Sequence, residues 1–330
     1  MKKIIAIAIA FSSISLAACA NTTSTEAVSQ SDVRFNAPRI ERMAAGKDLQ
    51  YKYWNSGKDD CDSRLMKESV LSNYEIHQYD KSSYIIRQNK CSNPESPMMY
   101  LLLGERQNVL LDTGAKSNDG GEELAHIVQK LIHQHGNSKA LLVLHSHHHS
   151  DHTAGDEVFA SLDNTRVVNA DKQSFADFHK NDISTIAMGD RALTIIKTPG
   201  HQEEAIAVYD SKTQWLLTGD SFYPGVLYVK HWQDYKSSIA KLHAFAEKHP
   251  VSYILGSHVE MSSDAGKAYD IGSVYQAQEA PMTMTVDQLA ELHQQLQRTG
   301  EQRLAGSAYI VQPMNGLQKS LSNIVRWAKN

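Results

Sequence analysis

The stretch that decides the fold is Leu144–Gly155, which reads Leu-His-Ser-His-His-His-Ser-Asp-His-Thr-Ala-Gly. It follows directly on the apolar run Ala140–Leu144, which is typical of a strand buried on both faces. Imidazole nitrogen and carboxylate oxygen both bind zinc, at roughly 2.0–2.2 Å. A loose histidine tract is the alternative, but Asp151 and Gly155 stand at fixed offsets from the strand end. The stretch therefore predicts a metal site at the end of a strand.

The spacing of these side chains predicts more than one ion. Residues two apart in extended chain point the same way, so His147 and His149 can converge on one metal. Asp151 and His152 follow a tightening turn and can face a neighbouring metal.

The pattern His147-x-His149-x-Asp151-His152 resembles the His-x-His-x-Asp-His signature of the metallo-β-lactamase superfamily. The Asp-His pair sets the register, which leaves His145 and His148 outside the predicted ligands. The resemblance covers about residues 80–275 and continues, in order, through four more positions. Those positions are Asp112 in Leu-Leu-Asp-Thr-Gly, His201 in Thr-Pro-Gly-His, Asp220 in Leu-Thr-Gly-Asp and His258 in Leu-Gly-Ser-His.

The resemblance implies a role for each of these four residues. Asp112 is similar to an aspartate that supports a ligand from behind, and His201 to the third histidine of the first metal. Asp220 resembles a carboxylate that bridges two metals, and His258 the last ligand of the second. The implied fold is α/β, an αβ/βα sandwich of two β-sheets flanked by helices. The implied cofactors are two Zn²⁺, with another divalent transition metal as the alternative.

The residues themselves support the same arrangement. Ligands that each follow an apolar strand-like run can gather at one edge of a sheet, where open α/β sheets usually place their sites. This holds for His147, His201, Asp220 and His258.

The implied chemistry is hydrolysis of a carbonyl in a small-molecule substrate. A dinuclear zinc site generates hydroxide from a shared water near neutral pH, and Asp151 can orient that hydroxide or accept its proton. The predicted catalytic residues are Asp151 and Tyr223. Tyr223 resembles a tyrosine that assists carbonyl attack in homoserine-lactone hydrolases, or it forms an apolar wall.

The substrate stays open between an ester, a lactone, a thioester and a β-lactam. Ser221 and Pro224-Gly225 resemble one β-lactamase subgroup, whereas the Leu-Thr-Gly-Asp context is also compatible with glyoxalase II-like thioesterases. After His201 the chain reads Gln-Glu-Glu-Ala, a departure from the Thr-Pro-Gly-Ser of many relatives. Two other classes compete: a mononuclear-iron persulfide dioxygenase and a non-catalytic metal-binding lipoprotein.

The amino-terminal segment predicts export. Lys2 and Lys3 precede the apolar run Ile4–Ile14, which is the length of a signal-peptide core. Leu-Ala-Ala-Cys at residues 16–19 resembles the lipobox of bacterial lipoproteins, in which Cys19 is lipidated. The absence of aspartate at Ala20 favours the outer membrane, facing the periplasm.

The chain divides into five predicted segments. They are a signal peptide at 1–18, a lipidated flexible tether at 19–35, an N-terminal extension at 36–70, the catalytic domain at 71–280 and a C-terminal helical extension at 281–330. Within them, Asp234 is a predicted helix N-cap, and Thr285 with Gln288 resembles a capping box.

Charge and cysteine content complete the expectations. A formal net charge of −4 over 330 residues gives no electrostatic footprint for nucleic acid. No basic run indicates a patch that binds a lipid surface, so the lipid anchor is the only predicted membrane contact. Cys61 and Cys91 can form a disulfide in the periplasm, or remain two free thiols. The sequence makes no prediction of an oligomeric state.

Overall fold

The structure, a computed structural model, describes residues 40–45, 47, 49, 71–136, 138–168 and 181–319. The predicted signal peptide (1–18), Cys19, the tether (19–35) and Cys61 lie outside the described residues. The same holds for most of the predicted extension at 36–70.

The first sheet of the described chain has seven strands, which follow the order of the sequence. Strands β2 to β5 pair antiparallel, and β5, β6 and β7 then run parallel because helices cross between them. The strands are β1 (Ile40–Ala45), β2 (Leu71–Asp80), β3 (Ser83–Gln88), β4 (Met98–Leu103), β5 (Asn108–Leu111), β6 (Leu141–Leu144) and β7 (Thr165–Val167).

A second sheet has six strands in the order β14-β13-β11-β10-β9-β8, and a third has the order β12-β16-β15. The strands of the second sheet are β8 (Ile183–Ala187), β9 (Ala192–Lys197), β10 (Ile206–Asp210), β11 (Trp215–Gly219), β13 (Tyr253–Gly256) and β14 (Thr283–Met284). The strands of the third are β12 (Val226–Val229), β15 (Leu304–Ala305) and β16 (Ile310–Pro313).

The helices are α1 (Glu122–Gln134), α2 (Ser150–Thr153), α3 (Asp156–Ser161), α4 (Trp232–Ala246) and α5 (Val286–Arg298). Helices α1 and α3 pack on the first sheet, and α4 and α5 pack on the second. The short α2 contains Asp151 and His152. In α1 the apolar side chains of Leu124, Ile127, Val128 and Leu131 recur at helical spacing and are buried. No helix in these ranges is both long enough and apolar enough to cross a membrane.

The alternating side chains of β4 show how the layers pack. Tyr100 and Leu102 belong to a core cluster shared with the second sheet, which contributes Ile195 and Trp215. Leu101 belongs instead to the cluster that packs under α1. A third cluster joins the other face of the second sheet to α4 and α5. These layers confirm the predicted sandwich of two sheets flanked by helices.

Two expectations about helix ends have different outcomes. The Thr285 capping box is confirmed, because Thr285 and Gln288 exchange side-chain-to-backbone hydrogen bonds at the start of α5. The N-cap assigned to Asp234 is wrong, since α4 begins at Trp232 with His231 as its N-cap, three residues before Asp234. The amide of His231 donates to the carbonyl of Gly200, so a tertiary contact sets this helix start.

The carboxyl-terminal segment differs from the expected helical extension. Within residues 281–319 it forms α5, but it also supplies β14 to the second sheet and β15 and β16 to the third. β16 pairs parallel with β12, about 80 residues earlier in the chain. Such a pairing depends on tertiary context, which short strands do not reveal locally.

A buried ion pair ties the segment after β13 to the first sheet. Arg87 donates to both carboxylate oxygens of Glu279, at 2.8 and 2.6 Å. Nearby, Cys91 is disulfide-bonded, which favours the expected pairing with Cys61, a residue outside the described chain.

Candidate metal centre

Strand ends from both sheets carry the predicted ligands to one edge of the sandwich. The cluster His147 to His152 follows β6, and Asp112 follows β5. In the second sheet, Asp220 directly follows β11, and His258 stands two residues after β13. The carboxyl ends of these strands point the same way, which explains why residues far apart in sequence meet here.

Glycine allows the two sheets to approach closely at this edge. Gly219 has a φ of 53°, and a Cβ placed on it would lie 2.6 Å from the Cβ of Ser146. A side chain there would therefore push β11 away from the loop that carries the histidines. It would also displace Asp220, the next residue.

The first ligand group consists of His147, His149, His201 and Asp220, whose candidate ligand atoms lie within 4.8 Å of one another. Nδ1 of His149 lies 3.0 Å from Nε2 of His147 and 3.1 Å from Nε2 of His201. Oδ2 of Asp220 lies 3.7 and 3.6 Å from those two Nε2 atoms. A tetrahedral zinc with bonds of roughly 2.0–2.1 Å separates its ligand atoms by roughly 3.3 Å. The distances between candidate ligand atoms in this group, 3.0 to 3.7 Å, are close to that separation.

The second ligand group consists of Asp151, His152, Asp220 and His258. Oδ2 of Asp151 lies 3.2 Å from Nε2 of both His152 and His258. Oδ1 of Asp220 lies 3.6 and 3.5 Å from the same two nitrogens. The two oxygens of Asp220 thus face different groups, which is the arrangement a bridging carboxylate requires.

Hydrogen bonds on the far side of each imidazole determine which nitrogen faces the cluster. Nδ1 of His201 lies 2.8 Å from the carbonyl oxygen of Tyr228, and Nδ1 of His258 lies 2.9 Å from that of Glu95. A carbonyl only accepts, so each Nδ1 carries a proton, and Nε2 is the nitrogen left to bind a metal. Metal-binding histidines are usually oriented in this way.

Asp112 orients the second group in the same manner. Its Oδ2 lies 2.9 Å from Nδ1 of His152 and accepts from the hydroxyl of Ser146 at 2.8 Å. Its Oδ1 accepts from the amide of Ser146 at 2.7 Å. Asp112 is fully buried and has a φ of 67°, in the left-handed region that residues other than glycine seldom adopt.

Unsatisfied buried atoms show that these residues fit a metal. Nε2 of His152 and Oδ1 of Asp220 are buried and make no hydrogen bond within the described chain. Leaving such groups unpaired costs about 1–3 kcal/mol each. Both atoms point into the cluster, where a cation would satisfy them.

The protonation states divide the two groups. Burial, together with the charge of neighbouring histidines, holds the pKa of His147 well below its ordinary value and lowers that of His149 to about 3. Burial opposes protonation of His258 as well, but the carboxylates of Asp220 and Asp151 outweigh it and raise the pKa to about 9. Without a metal the imidazoles of His147 and His149 are therefore neutral at pH 7, whereas His258 holds a proton that a metal must displace.

The predicted catalytic residues have different surroundings. Asp151 lines the cavity in front of the cluster. Although burial opposes ionisation, His152 and His258 hold the pKa of Asp151 well below its usual range. Tyr223 lines the same cavity, but its hydroxyl donates to the carbonyl of Val226 at 2.9 Å and lies 3.2 Å from Oε2 of Glu260. The ionised Asp151 can orient water, while the phenolic proton of Tyr223 is already engaged.

The remaining histidines of the stretch stay outside both groups. Nδ1 of His145 lies 3.2 Å from the carbonyl oxygen of His152, and its Nε2 lies 3.2 Å from Oδ1 of Asp156. The rings of His145 and His148 are in edge contact. Their positions agree with the register that the Asp-His pair sets.

Several residues of the site carry no signal that sequence reasoning could use. Glu95 and Tyr228 act through backbone carbonyls, which any residue supplies. Gln202 has its side-chain amide 2.6 Å from Nε2 of His149, within the Gln-Glu-Glu-Ala departure. The cavity has a volume of about 350 Å³, and its wall also includes Lys116, Ile271 and Met314.

Comparisons with known proteins agree with this geometry. The family described as the metallo-beta-lactamase superfamily matches residues 93–258. An acyl-coenzyme A thioesterase, MBLAC2 of Gallus gallus, is 30% identical over 94 residues, which are 27% of this chain and 34% of that protein. The matched segment thus spans about a third of that relative's length.

Two solved structures are similar over most of the chain. A metallo-beta-lactamase from Pontibacter korlensis has 17% identity and a TM-score of 0.45, and the match covers 68% of this chain and 100% of that one. An archaeal metallo-beta-lactamase superfamily protein from Sulfolobus tokodaii has 13% identity and a TM-score of 0.44, covering 73% and 94% of the two chains.

Proposed function

This chain belongs to the metallo-beta-lactamase superfamily, and we propose that it is a dinuclear zinc hydrolase that cleaves an ester or thioester carbonyl. The superfamily consists mostly of hydrolases and typically binds divalent metals, and the His/Asp cluster of this chain fits that property. We propose in addition that the metals are two zinc ions and that the substrate is an ester or thioester.

One observation carries the proposal of two metals. Oδ2 of Asp220 faces His147 and His201, whereas Oδ1 faces His152 and His258. A mononuclear site, such as that of a persulfide dioxygenase, would need only one of these groups. The second group therefore favours two ions over one.

Zinc is favoured by the ligand types, five imidazoles and two carboxylates in the two groups. When bound, zinc polarises a carbonyl oxygen and lowers the pKa of water to near neutrality. The chain's own residues supply the rest of the chemistry.

Asp151 is the residue that we propose to orient the attacking water. Its Oδ2 faces His152 and His258, and the residue lines the cavity in front of the cluster. Because its pKa is held low, Asp151 is ionised at neutral pH and accepts a hydrogen bond. Fixing the water against the carbonyl replaces a bimolecular encounter by an oriented one.

The choice of ester or thioester rests on two features. The relative from Gallus gallus is named an acyl-coenzyme A thioesterase. In addition, the cavity of about 350 Å³ is open to a small molecule and includes apolar side chains. Lactones and β-lactams remain in the panel of substrates to be tested.

A hydrolysis screen with matched histidine variants tests the proposal. The panel contains a p-nitrophenyl ester, an acyl thioester, a homoserine lactone and a cephalosporin. We expect zinc-loaded protein to hydrolyse the ester or thioester, and His149→Ala to abolish turnover. His148→Ala is the control, because His148 is the adjacent histidine outside both ligand groups. Inactivity across the panel, or equal turnover of His149→Ala and wild type, would refute the proposal.

We also propose, from the sequence alone, that the protein is a lipoprotein anchored through Cys19. The apolar run and the Leu-Ala-Ala-Cys motif support export and lipidation. The site would then face the periplasm, which is also an environment that permits the disulfide at Cys91.

A further inference from the structure

The cavity beside the metal centre has an apolar wall that lies largely outside the family-matched segment. We define this outer wall as Tyr228, Ile271 and Met314, all of which line the cavity. Ile271 and Met314 follow residue 258, where the family match ends. The chain's carboxyl-terminal segment therefore contributes to the surface that a substrate would touch.

The outer wall is attached directly to a metal ligand. The carbonyl oxygen of Tyr228 accepts the hydrogen bond from Nδ1 of His201. Tyr228 lies in β12, which pairs parallel with β16, and the amide of Met314 donates to the carbonyl of Val229 in the same strand. The wall thus begins beside His201 and continues outward along the third sheet.

Ile271 extends the wall to the rim of the cavity. It lies between β13 and β14, and 81% of its surface is exposed. Single exposed apolar residues are common and need no explanation. Ile271 differs because it shares the cavity with Tyr228 and Met314, so an apolar ligand there would contact all three.

The charges around the cavity disfavour an anionic group on this wall. Apart from the residues of the two ligand groups, the described charged side chains of the lining are Lys116, Glu95 and Glu260. Glu260, Tyr228 and Ile271 also line an adjoining small cavity, so the carboxylate lies close to the wall. In the lining of the main cavity a phosphate-bearing group would find one lysine, Lys116, beside two carboxylates. Lys90 of the adjoining small cavity is buried and lies 3.9 Å from Glu279.

We propose that the outer wall binds the acyl chain of the substrate, with Ile271 as a specificity-determining residue. This inference rests on the proposed hydrolysis of an ester or thioester. The acyl end is assigned because the wall starts beside His201, where the carbonyl would be held. The substrate class is then an ester or thioester of a medium-length, uncharged aliphatic acid.

Binding of the carboxylate products tests this assignment without requiring turnover. Calorimetry on the zinc-loaded protein measures Kd for butyrate, hexanoate and octanoate. Burying one methylene fully strengthens binding by about fourfold, and a wall open on one side gives less. We expect octanoate to bind about tenfold more tightly than butyrate, and Ile271→Ser to reduce that ratio to about threefold.

Two further variants separate a specific contact from a general effect. Ile183→Ser removes an isoleucine that is 46% exposed in β8 and does not line the cavity, so it keeps the wild-type ratio. Ile271→Leu preserves the apolar surface and restores the chain-length dependence. An equal Kd for all three acids, or a ratio that Ile271→Ser leaves unchanged, overturns the inference.

Calorimetry and the hydrolysis screen together distinguish failure of this inference from failure of the proposed function. Chain-length-dependent binding without hydrolysis of any ester or thioester would refute the hydrolase and keep the acyl site. Hydrolysis of an ester or thioester, with binding of the acids that does not depend on chain length, would refute the acyl site and keep the hydrolase.

Discussion

Oδ2 of Asp112 lies 2.9 Å from Nδ1 of His152, which places a buried carboxylate directly behind an imidazole of the second ligand group. The same carboxylate accepts two hydrogen bonds from Ser146, so its position is fixed by three contacts. It can therefore hold His152 with its Nε2 toward the cluster.

Asp112→Asn should weaken metal binding by about 10–100-fold, the usual effect of removing such a supporting group. The neutral amide no longer favours the proton on Nδ1 of His152. Competition with a chromogenic chelator measures the affinity, and Asp163→Asn, an exposed turn residue, is the control. Equal affinities of Asp112→Asn and wild type would count against the supporting role.

Asp220→Asn should reduce metal occupancy more than His201→Ala does. Asp220 is the residue shared by both groups, whereas His201 belongs to one. We expect less than one tightly bound metal per chain in Asp220→Asn and about one in His201→Ala, by elemental analysis after gel filtration. Full occupancy of Asp220→Asn would argue against a bridging carboxylate.

The metal-free protein should lose stability as the pH rises from about 6.5 to 9. The pKa of His258 is raised to about 9 in the fold, against an unfolded value of about 6.5. The folded state then keeps a proton that the unfolded state releases, so the stabilisation is complete below pH 6.5 and is lost as the pH approaches 9. Urea unfolding at several pH values measures this slope.

Two controls identify the source of that slope. His258→Gln should reduce it but not abolish it, because the carboxylates of Asp151, Asp112 and Asp220 also raise the pKa of His152 against the effect of burial. Bound zinc should remove it, because a metal-bound histidine carries no extra proton. A slope that is the same in His258→Gln would assign the effect to other groups.

Tyr223→Phe separates a catalytic hydroxyl from a wall residue. Because the hydroxyl donates to the carbonyl of Val226, we expect kcat within about threefold of wild type. A positioned proton donor contributes about 10²–10⁴-fold. A fall of that size would show that Tyr223 turns toward the substrate and takes the catalytic role predicted from sequence.

Glu279→Ala should destabilise the fold by about 3–5 kcal/mol, since it removes the carboxylate that neutralises the buried guanidinium of Arg87. The exposed pair Lys267–Asp264 is the control, and Asp264→Asn should leave the urea midpoint almost unchanged. Similar midpoints for Glu279→Ala and Asp264→Asn would contradict the role of the buried pair.

The layers and the candidate ligands that the structure brings together could be predicted because both leave local signals. The apolar runs before His147 and Asp220 mark buried strands, and the spacing from His147 to His152 has no common structural explanation. Asp112 was predicted only by resemblance, since a single aspartate after a strand has many roles. Its left-handed backbone conformation is visible only in the structure.

The surroundings of the site could not be predicted in the same way. The third sheet pairs β12 with β16 across about 80 residues, and this pairing brings Met314 to the cavity. The hydrogen bonds from His258 to Glu95 and from His201 to Tyr228 end on backbone carbonyls, which have no sequence signature. One partner of the Tyr223 hydroxyl is Oε2 of Glu260, which lies 37 residues further along the chain.

Zinc titration of the metal-free protein, followed by both metal content and ester or thioester hydrolysis, tests the central claim most directly. We expect two zinc ions per chain, hydrolysis that saturates at two equivalents, and no turnover in His149→Ala, while His148→Ala behaves as wild type. Saturation without hydrolysis, or undiminished hydrolysis in His149→Ala, would contradict it.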